Sequence, residues 1–397
     1  MGAIGIISEC REKIWLSRQI QTILFEDMPL TRYQNQMEKA YLVGLAPDSR
    51  KKAEIAQSLE ELKLLALSTG TAVIGQRVQV RPRPDSHYFV GKGMVEEIKI
   101  EMSRLGGTCV IFDDTLSPAQ QRNLEEAFGL KVIDRPILIL DLFATRARTA
   151  AARLQVELAQ LEYTLPRLTG AWVHFSRQYG GVGAKGPGET QLETDRRRVR
   201  TKISHLKEKL EKLDIQRATQ RKKRQSQFKV ALVGYTNAGK STLFNLLTKA
   251  SVHTADMLFT TLDSTTRVMS SGYPCNILFS DTVGFIKKLP HQLIESFKST
   301  LEEVSSADLL LHVVDCSDPH YNEQVVQTRA VLTEIGAGDI DCIMIYNKID
   351  AHPDFELRSE NGYKSFPISA LKKTGIAAIQ AELIAKAGKA ALYPANG

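Results

Sequence analysis

The 397-residue sequence has no long apolar run. Charged residues interrupt its apolar segments, such as Ile137–Leu140, far short of the roughly 20 residues that a membrane-spanning helix needs. At the start of the chain, the charges follow the apolar stretch Met1–Ile7 instead of preceding it, and Ile6 breaks the myristoylation pattern. The sequence therefore predicts no membrane span and a cytoplasmic location.

Cysteine is also scarce, and its five positions show no C-x-x-C spacing. An odd number of scattered cysteines predicts neither a disulfide framework nor a zinc site. We expect reduced, buried thiols, because free cysteine behaves as a small apolar residue. The positions are Cys10, Cys109, Cys275, Cys316 and Cys342.

The composition is that of a globular protein, with 43% hydrophobic and 24% charged residues. The length accommodates two or three domains of about 100–200 residues each. The net charge of +7 is unevenly placed, because Arg196–Arg224 holds thirteen Lys and Arg residues against three Asp and Glu. This local surplus of ten exceeds that of the whole chain, so the remainder is slightly acidic.

Changes in pattern along the chain predict four parts. Residues 1–37 form an N-terminal extension of weak periodicity. In residues 38–145, short β-rich runs alternate with helix-like stretches, which predicts a small parallel α/β domain. Residues 146–225 are predicted to form a basic helical hairpin, and residues 226–397 a second α/β domain.

Apolar residues recur in the predicted hairpin at alternating spacings of three and four, the rhythm of helices packed along a seam. These residues are Leu154, Leu158, Leu161, Leu165, Val199, Ile203, Leu206, Leu210 and Leu213. The stretch 169–190 between the two helices holds six glycines, too many for a regular element. We therefore expect a long, flexible tip at residues 169–190.

The second α/β domain opens with a phosphate-binding loop. The apolar run Phe228–Val233 leads into the motif G-x-x-x-x-G-K-S, and the helix-like Leu243–Leu247 follows. In this strand–loop–helix context the backbone amides surround the phosphates, Lys240 neutralises the β- and γ-phosphates, and the Ser241 hydroxyl binds Mg²⁺. The predicted nucleotide-binding residues are Gly234, Tyr235, Thr236, Asn237, Ala238, Gly239, Lys240, Ser241 and Thr242.

Three further elements follow in the order that a GTP-binding domain requires. The first, at a strand end, places a carboxylate near magnesium and the Gly284 amide toward the γ-phosphate. In the second, the Asp350 carboxylate accepts hydrogen bonds from guanine, which adenine does not offer, so the wrong base leaves it unpaired. The third brings backbone to the guanine oxygen. The first element consists of Asp281, Thr282, Val283 and Gly284, the second of Asn347, Lys348, Ile349 and Asp350, and the third of Ser369 and Ala370.

A threonine that completes the magnesium site is expected in the segment Phe259, Thr260, Thr261, Leu262 and Asp263. We choose Thr261, with Thr260 as the competing candidate. The predicted magnesium ligands are thus Ser241 and Thr261. The residues predicted to act on the terminal phosphate are Lys240, Thr261 and Gly284.

Two residues bear on the rate of hydrolysis. Phe285 follows Gly284 where Ras-type enzymes carry a water-positioning glutamine, which predicts slow unaided turnover and a partner that completes the site. Asn237 is similar to the asparagine with which some GTPases hold a potassium ion beside the phosphates. The alternative is an asparagine that only stabilises the loop.

The basic segment Arg196–Arg224 is an electrostatic footprint suited to nucleic-acid phosphates. A solvated helix face is the alternative. The adjoining glycine-rich tip, with Arg177 and Lys185, could enter a narrow RNA cavity. We therefore expect RNA contact through residues 169–224.

Several long segments resemble the HflX family of ribosome-associated GTPases. They are Ile111–Glu125, Val132–Arg135, Leu154–Leu161, Gly186–Thr190 and Leu192–Arg198. The resemblance runs from about residue 39 to 375. It implies an N-terminal α/β domain, a helical hairpin and a GTPase domain, binding to the large ribosomal subunit, and ribosome-stimulated GTP hydrolysis that splits or rescues stalled ribosomes.

Some family members are reported to use ATP through the N-terminal domain, but residues 39–145 contain no second P-loop, since Gly91–Gly93 is a short glycine turn. After Ala370 we expect a helix at Ile376–Ala387 but not the extra C-terminal domain of some members.

Two functions are alternatives to ribosome splitting or rescue. One is a GTP-switched RNA-binding factor in large-subunit assembly, and the other, less favoured, is a tRNA-modification GTPase, which would need a catalytic cysteine motif. We expect a monomer.

Overall fold

The computed structural model describes residues 38–169, 187–222, 227–248, 258–259, 265–269, 276–288, 298–356 and 362–392. Their contacts define two compact units. The first comprises the described residues up to Thr145 together with Glu157–Lys209, and the second comprises Arg146–Val156 and the described residues from Leu210 onward. Among the described helices, none is long and apolar enough to span a lipid bilayer.

The first unit contains a four-stranded parallel sheet of strand order β2-β1-β3-β4. Strands β1, β3 and β4 are nearly continuous apolar runs, as expected for a parallel sheet, whereas the edge strand β2 also carries Gln76, Arg77 and Gln79. The elements in chain order are β1 (Lys39–Ala46), α1 (Lys52–Ser68, preceded by the 3-10 turn Ser49–Lys51), β2 (Ala72–Val80), α2 (Lys92–Leu105), β3 (Cys109–Phe112), α3 (Pro118–Phe128), β4 (Lys131–Asp134) and α4 (Arg135–Arg146).

Sequence signals explain where these helices begin and end. Ser117 and Gln120 form a capping box at the start of α3, and Pro118 occupies its first turn. Gly106 and Gly129 end α2 and α3 with φ of 65° and 67°, a left-handed conformation that glycine adopts without strain.

Two long helices follow, α5 (Ala150–Thr164) and α6 (Pro187–Lys222), with the 3-10 turn Leu165–Thr169 after α5. Two ion pairs join them: Lys202 to Glu157 at 2.7 Å and Lys207 to Glu162 at 2.8 Å. Of the apolar residues in the predicted seam, the structure buries Leu158, Leu161, Val199 and Leu206 most deeply. The three-four spacing therefore marks part of the buried surface of each helix, since its other five residues are half-buried.

The second α/β domain contains a six-stranded sheet of order β10-β9-β8-β5-β7-β6, in which β6 alone runs antiparallel to its neighbour. Its elements are β5 (Phe228–Gly234), α7 (Lys240–Thr248), β6 (Thr265–Met269), β7 (Ile277–Asp281), α8 (Lys298–Ser305), β8 (Leu309–Asp315), α9 (Tyr321–Glu334), β9 (Cys342–Asn347), β10 (Lys364–Pro367) and α10 (Ile376–Leu392). One face buries a cluster that includes Leu232, Phe279 and Ile345.

The predicted fold class is confirmed, with one difference at the glycine-rich tip. The stretch 169–190 was predicted to be irregular, but α6 already begins at Pro187. Proline suits the first helical position, where its missing N–H has no intrahelical partner, so α6 takes in Gly188. The remainder of the predicted tip, residues 170–186, lies outside the described residues, as does the predicted extension 1–37.

The cysteines that fall within the described residues are free thiols, as expected. Cys109 and Cys316 are buried and Cys342 is partly exposed. Burial raises the pKa of the Cys109 thiol to about 12, so this side chain stays protonated and unreactive.

A buried ionic cluster lies at the carboxyl edge of the first sheet. The Arg135 and Asp113 side chains are fully buried, and their closest N···O distance is 2.6 Å. Ser58 donates to the same carboxylate at 2.8 Å, and Arg135 also contacts Glu61. Because a charge without its partner is costly in a protein interior, each member of this cluster depends on the others.

Replacing Arg135 with methionine is expected to destabilise the first unit by about 3–5 kcal/mol, because the Asp113 carboxylate would remain buried without its counter-ion. Denaturant unfolding followed by circular dichroism measures this loss. Lys63→Met is the control: its pair with Glu60 at 3.3 Å is solvent-exposed and should contribute less than about 1 kcal/mol. A loss for Arg135→Met no greater than for the control would contradict the expectation.

Candidate nucleotide-binding site

The carboxyl ends of β5, β7, β8 and β9 meet at one edge of the second sheet, where ligands bind in open α/β folds. These strands end at Gly234, Asp281, Asp315 and Asn347. Three of the four belong to motifs identified in the sequence. The parallel pairing of the strands therefore brings together residues that are separated by up to 113 positions.

The loop between β5 and α7 has the shape required of a phosphate-binding loop. Gly234 has φ of 143°, and a Cβ at this position would lie 2.2 Å from the Val313 carbonyl oxygen. Gly239 has φ of 93°, and its Cβ would lie 2.2 Å from the Asn347 side-chain nitrogen. Both motif glycines are thus required by backbone conformation and by space. The loop ends where α7 begins at Lys240, so a helix N-terminus faces the site.

The Lys240 ammonium group is buried and donates to the carbonyl oxygens of Gly234 at 3.1 Å and Tyr235 at 2.7 Å. Burial lowers the pKa of Lys240 to about 8, and the Asp281 carboxylate opposes that shift. The loop therefore holds a desolvated cation that two neutral carbonyls only partly compensate. An anionic phosphate would compensate it more fully.

Ser241 donates a hydrogen bond to the Asp281 carboxylate at 2.7 Å. This hydroxyl and carboxylate are hard oxygen donors of the kind that Mg²⁺ prefers, so the pair fits the predicted magnesium site. Among the described residues, no group of three or more His, Cys, Asp and Glu could hold a metal ion by itself.

The Asp281–Gly284 segment is fixed against the loop. Thr282 donates to the Leu232 carbonyl oxygen at 2.6 Å. Beyond Gly284, the backbone of Phe285 forms a short parallel bridge with the loop: its amide donates to Gly234 at 3.1 Å, and its carbonyl accepts from the Thr236 amide at 2.8 Å. The Phe285 side chain is buried. Phe285 thus contributes to the site through its backbone.

The Asn347 side chain connects two loops. Its amide nitrogen donates to the Ala238 carbonyl oxygen at 2.9 Å, and its amide oxygen accepts from the Ala370 backbone at 2.9 Å. Both bonds are buried. Asn347 therefore holds the phosphate loop and the Ser369–Ala370 loop in a fixed relation.

Asp350, the predicted guanine-recognition residue, lies at the rim of the site. It accepts a hydrogen bond from the Ser369 hydroxyl at 2.5 Å, and this contact holds the pKa of the carboxyl below its usual range. The carboxylate is therefore charged at neutral pH, as required to accept two guanine N–H groups. Lys348 pairs with Asp315 at 2.6 Å, which fixes the neighbouring backbone.

Most predicted site residues fall within the described part of the chain and gather at this edge. Phe259 is buried with φ of 53°. Thr260, Thr261, Leu262 and Asp263 lie outside the described residues, and Thr261 is the second predicted magnesium ligand. Asn237 has φ of 62°, a left-handed conformation that asparagine tolerates. That conformation accounts for asparagine at this position without a bound cation.

Sequence reasoning missed two residues at this edge, Asp315 and Leu371, and one contact of the predicted residue Tyr235. Asp315 ends β8 and pairs with Lys348; a carboxylate that ends an apolar strand was the available signal. The Tyr235 hydroxyl accepts from the Lys287 amide at 2.8 Å, a long-range contact without a sequence signal. Leu371 follows Ala370 and is 79% exposed, an apolar side chain at the rim of the base site.

The fold and the site together define a P-loop GTP-binding protein. Three family models match the chain in succession: "GTP-binding GTPase N-terminal" over residues 56–144, "GTP-binding GTPase Middle Region" over 146–224 and "50S ribosome-binding GTPase" over 229–348. The chain is 46% identical over 343 residues to the GTPase HflX of Flavobacterium psychrophilum, a match that covers 85% of this chain and 83% of the relative. It therefore belongs to the GTPase HflX family, and it binds and hydrolyses GTP.

A second relative agrees with this assignment. The GTPase HflX of Escherichia coli is 46% identical over 316 residues, which covers 78% of this chain and 74% of the relative. Among solved structures, a GTP-binding protein from Sulfolobus solfataricus in complex with GDP is 23% identical with a TM-score of 0.46, and the match covers 89% of this chain and 99% of that protein. The family resemblance found in the sequence is confirmed.

Asn347→Ala and Asp350→Ala should weaken GDP binding for different reasons. Asn347→Ala leaves the buried Ala238 carbonyl and Ala370 amide without a partner, so it should lower both GDP affinity and the free energy of unfolding, the latter by about 1–3 kcal/mol. Asp350→Ala removes a group at the rim, so it should cost less than about 1 kcal/mol of stability but on the order of 100-fold in GDP affinity. Calorimetric titration and denaturant unfolding of both variants separate the two effects. Equal stability losses would contradict this assignment.

Nucleotide binding should take up protons near pH 8. Below that pH, Lys240 is charged with or without nucleotide. Above it, Lys240 in the empty site loses its proton, while a bound phosphate raises its pKa and keeps it charged, so GDP affinity falls as pH rises. At pH 8, titration calorimetry in two buffers of different ionisation enthalpy should show uptake of about half a proton per GDP, the value expected when pH equals the pKa of the free group. Binding without proton uptake at pH 8 would contradict the lowered pKa of Lys240 in the empty site.

Proposed function

We propose that this GTPase binds the large ribosomal subunit through α6 and couples GTP binding and hydrolysis to the dissociation or rescue of ribosomes. The observation that carries the proposal is the basic, exposed face of α6. This helix is 36 residues long and ends at Lys222, shortly before β5 begins at Phe228. Such a face suits a polyanion, and ribosomal RNA is one. Because ribosomes are in the cytoplasm, the proposal also implies a cytoplasmic location for the protein.

The arrangement of charge on α6 supports contact with RNA. Val199 and Leu206 mark the buried side of the helix, while Arg197, Arg198 and Arg200 are exposed. Exposed arginines on the side away from the core can reach phosphates without leaving buried charge behind. The description of the family model that covers residues 229–348, a 50S ribosome-binding GTPase, supports the same partner.

The site residues supply binding and electrostatic stabilisation of the terminal phosphate. The Lys240 ammonium would hold the β- and γ-phosphates, and the Gly284 amide would donate to the γ-phosphate. Ser241, with Thr261, would hold the magnesium ion, which supplies neutralisation of the phosphate charge. Asp350 would read guanine, and Asn347 would keep the two loops in register.

Hydrolysis by this site is proposed to depend on the partner. In GTPases with a water-positioning glutamine, that residue orients the attacking water. Phe285 occupies the corresponding position here, and its buried side chain has no polar atom to offer. We therefore propose that the large subunit completes the site and that turnover without it is slow.

A potassium ion beside Asn237 is a further proposal for the cofactors of this site. The left-handed backbone conformation of Asn237 explains the residue equally well. GTPase rates in potassium and in sodium at equal ionic strength distinguish the two explanations. Equal rates would show that the residue acts in the loop conformation alone.

The second candidate function is a GTP-switched RNA-binding factor in assembly of the large subunit. The same basic face of α6 would serve both functions, so the particle that is bound distinguishes them. Dissociation of mature ribosomes in the presence of GTP supports the first function. Retention on precursor particles alone supports the second.

Purified large subunits should raise the GTPase rate of the wild-type protein by about ten-fold or more, because the protein's own site lacks a water-positioning side chain. Replacing Arg197, Arg198 and Arg200 together with glutamine should abolish most of this stimulation while GDP affinity stays unchanged. Each lost phosphate contact should also reduce the salt dependence of subunit binding, by about one unit of slope for each arginine. Initial rates and co-sedimentation over a range of potassium chloride concentrations measure both effects.

The matched control changes three exposed basic residues elsewhere in the first unit, Arg50, Lys51 and Lys52, to glutamine. It removes the same net charge but should preserve the stimulation. A control as defective as the α6 variant would show that net charge, and not this face, governs binding. Rapid hydrolysis by the purified protein without subunits would contradict the proposed dependence on a partner.

A further inference from the structure

The Thr236 hydroxyl in the phosphate loop is buried without a hydrogen-bond partner among the described residues. The residue is 7% exposed. A hydroxyl rotates about its C–O bond toward any acceptor within reach, and nearly all buried polar groups in folded proteins have a hydrogen-bond partner. An orphan hydroxyl in a ligand-binding loop therefore indicates that its partner is a ligand.

The position of Thr236 identifies which part of the ligand is near. A Cβ added to Gly284 would lie 2.8 Å from Thr236 Cα, 2.8 Å from Thr236 Cγ2 and 3.0 Å from the Lys240 ammonium nitrogen. Thr236, Lys240 and Gly284 thus converge within one small space, and the hydroxyl shares its Cβ with the methyl group that lies there. Lys240 and Gly284 are among the residues assigned above to the terminal phosphate.

The backbone of Thr236 is already engaged. Its amide donates to the Phe285 carbonyl oxygen at 2.8 Å, so it cannot point toward phosphate in this conformation. The side chain is therefore the group of Thr236 that can contact nucleotide. The Thr236 hydroxyl is also a polar group next to Phe285, whose side chain has no polar atom.

We propose that the Thr236 hydroxyl donates a hydrogen bond to a terminal phosphoryl oxygen of GTP, and so contributes to distinguishing GTP from GDP and to hydrolysis. The inference rests on the proposed nucleotide site and assigns one more group to it. A hydrogen bond to a charged acceptor in a dry site is among the stronger polar interactions in proteins. Because GDP lacks the terminal phosphoryl group, the bond would contribute to GTP affinity alone.

Thr236→Val tests the proposal in the full chain, because valine keeps the shape of threonine and removes the hydroxyl. We expect GDP affinity to stay within about two-fold of wild type, while affinity for a non-hydrolysable GTP analogue falls by about 10- to 100-fold. Single-turnover hydrolysis should slow as well. Thr236→Ser, which retains the hydroxyl, should preserve both properties.

A second orphan hydroxyl provides the matched control. Thr328 in α9 is fully buried, and its hydroxyl also lacks a partner among the described residues, but it is not part of the nucleotide site. Thr328→Val should leave the ratio of analogue to GDP affinity unchanged. Neither valine variant should lower the midpoint of thermal unfolding, because each replaces an unsatisfied hydroxyl with an apolar group of the same shape.

Three outcomes would overturn the proposal: a ratio for Thr236→Val equal to that of wild type, an equal loss of GDP and analogue affinity, or a loss in Thr236→Ser as large as in Thr236→Val. The last two would show that the residue acts through packing of the loop. Failure of the wild-type protein to bind either nucleotide would instead contradict the nucleotide site itself, so the two failures are distinguishable.

Discussion

The nucleotide site depends on one side chain that need not touch the phosphates, the amide of Asn347. Its two buried hydrogen bonds join the carbonyl of Ala238 in the phosphate loop to the amide of Ala370 in the loop after β10. A planar amide carries a donor and an acceptor at a fixed angle, so it can set the separation of two loops in a way that a hydroxyl cannot. Gly239 packs against the same amide nitrogen, which is why that position has no space for a side chain. The phosphate end and the base end of the site are therefore parts of one rigid assembly.

Within that assembly, a positive charge is already buried before the ligand binds. Lys240 is enclosed by the phosphate loop, and this burial lowers its pKa to about 8, a shift that the Asp281 carboxylate offsets only in part. The folded state thus holds a cation in an environment that disfavours it, and a phosphate relieves that cost. The same logic applies to the N-terminus of α7, because the positive end of the helix dipole faces the site. Folding thus places positive charge where an anionic phosphate would bind.

The sequence identified the parts of the site in which local backbone and chemistry coincide. The glycines of the phosphate loop, Asp281–Gly284 and Asn347–Asp350 could be found because each motif requires particular residues at fixed spacing after a strand. The apolar spacing in α5 and α6 likewise indicated the buried sides of both helices. What could not be found depends on contacts between distant elements. Asp315 at the end of β8 reaches Lys348 after the adjacent strand β9, Tyr235 reaches Lys287, and Arg135 is fully buried although its residue type predicts exposure. These contacts follow from tertiary packing, which no short window of sequence contains.

The backbone bridge between Phe285 and the phosphate loop has a consequence for how the site tolerates change. Since the hydrogen bonds that hold this segment come from the amide and carbonyl of Phe285, any residue with an ordinary backbone could form them. The buried ring is then constrained by volume and shape, as a core position is, and not by the chemistry of hydrolysis. Divergence at this position should accordingly follow the rules of hydrophobic cores, with leucine, methionine or isoleucine accepted and polar residues rejected. Position 285, although next to the proposed phosphate site, would thus accept the same kinds of substitution as a position in the hydrophobic core.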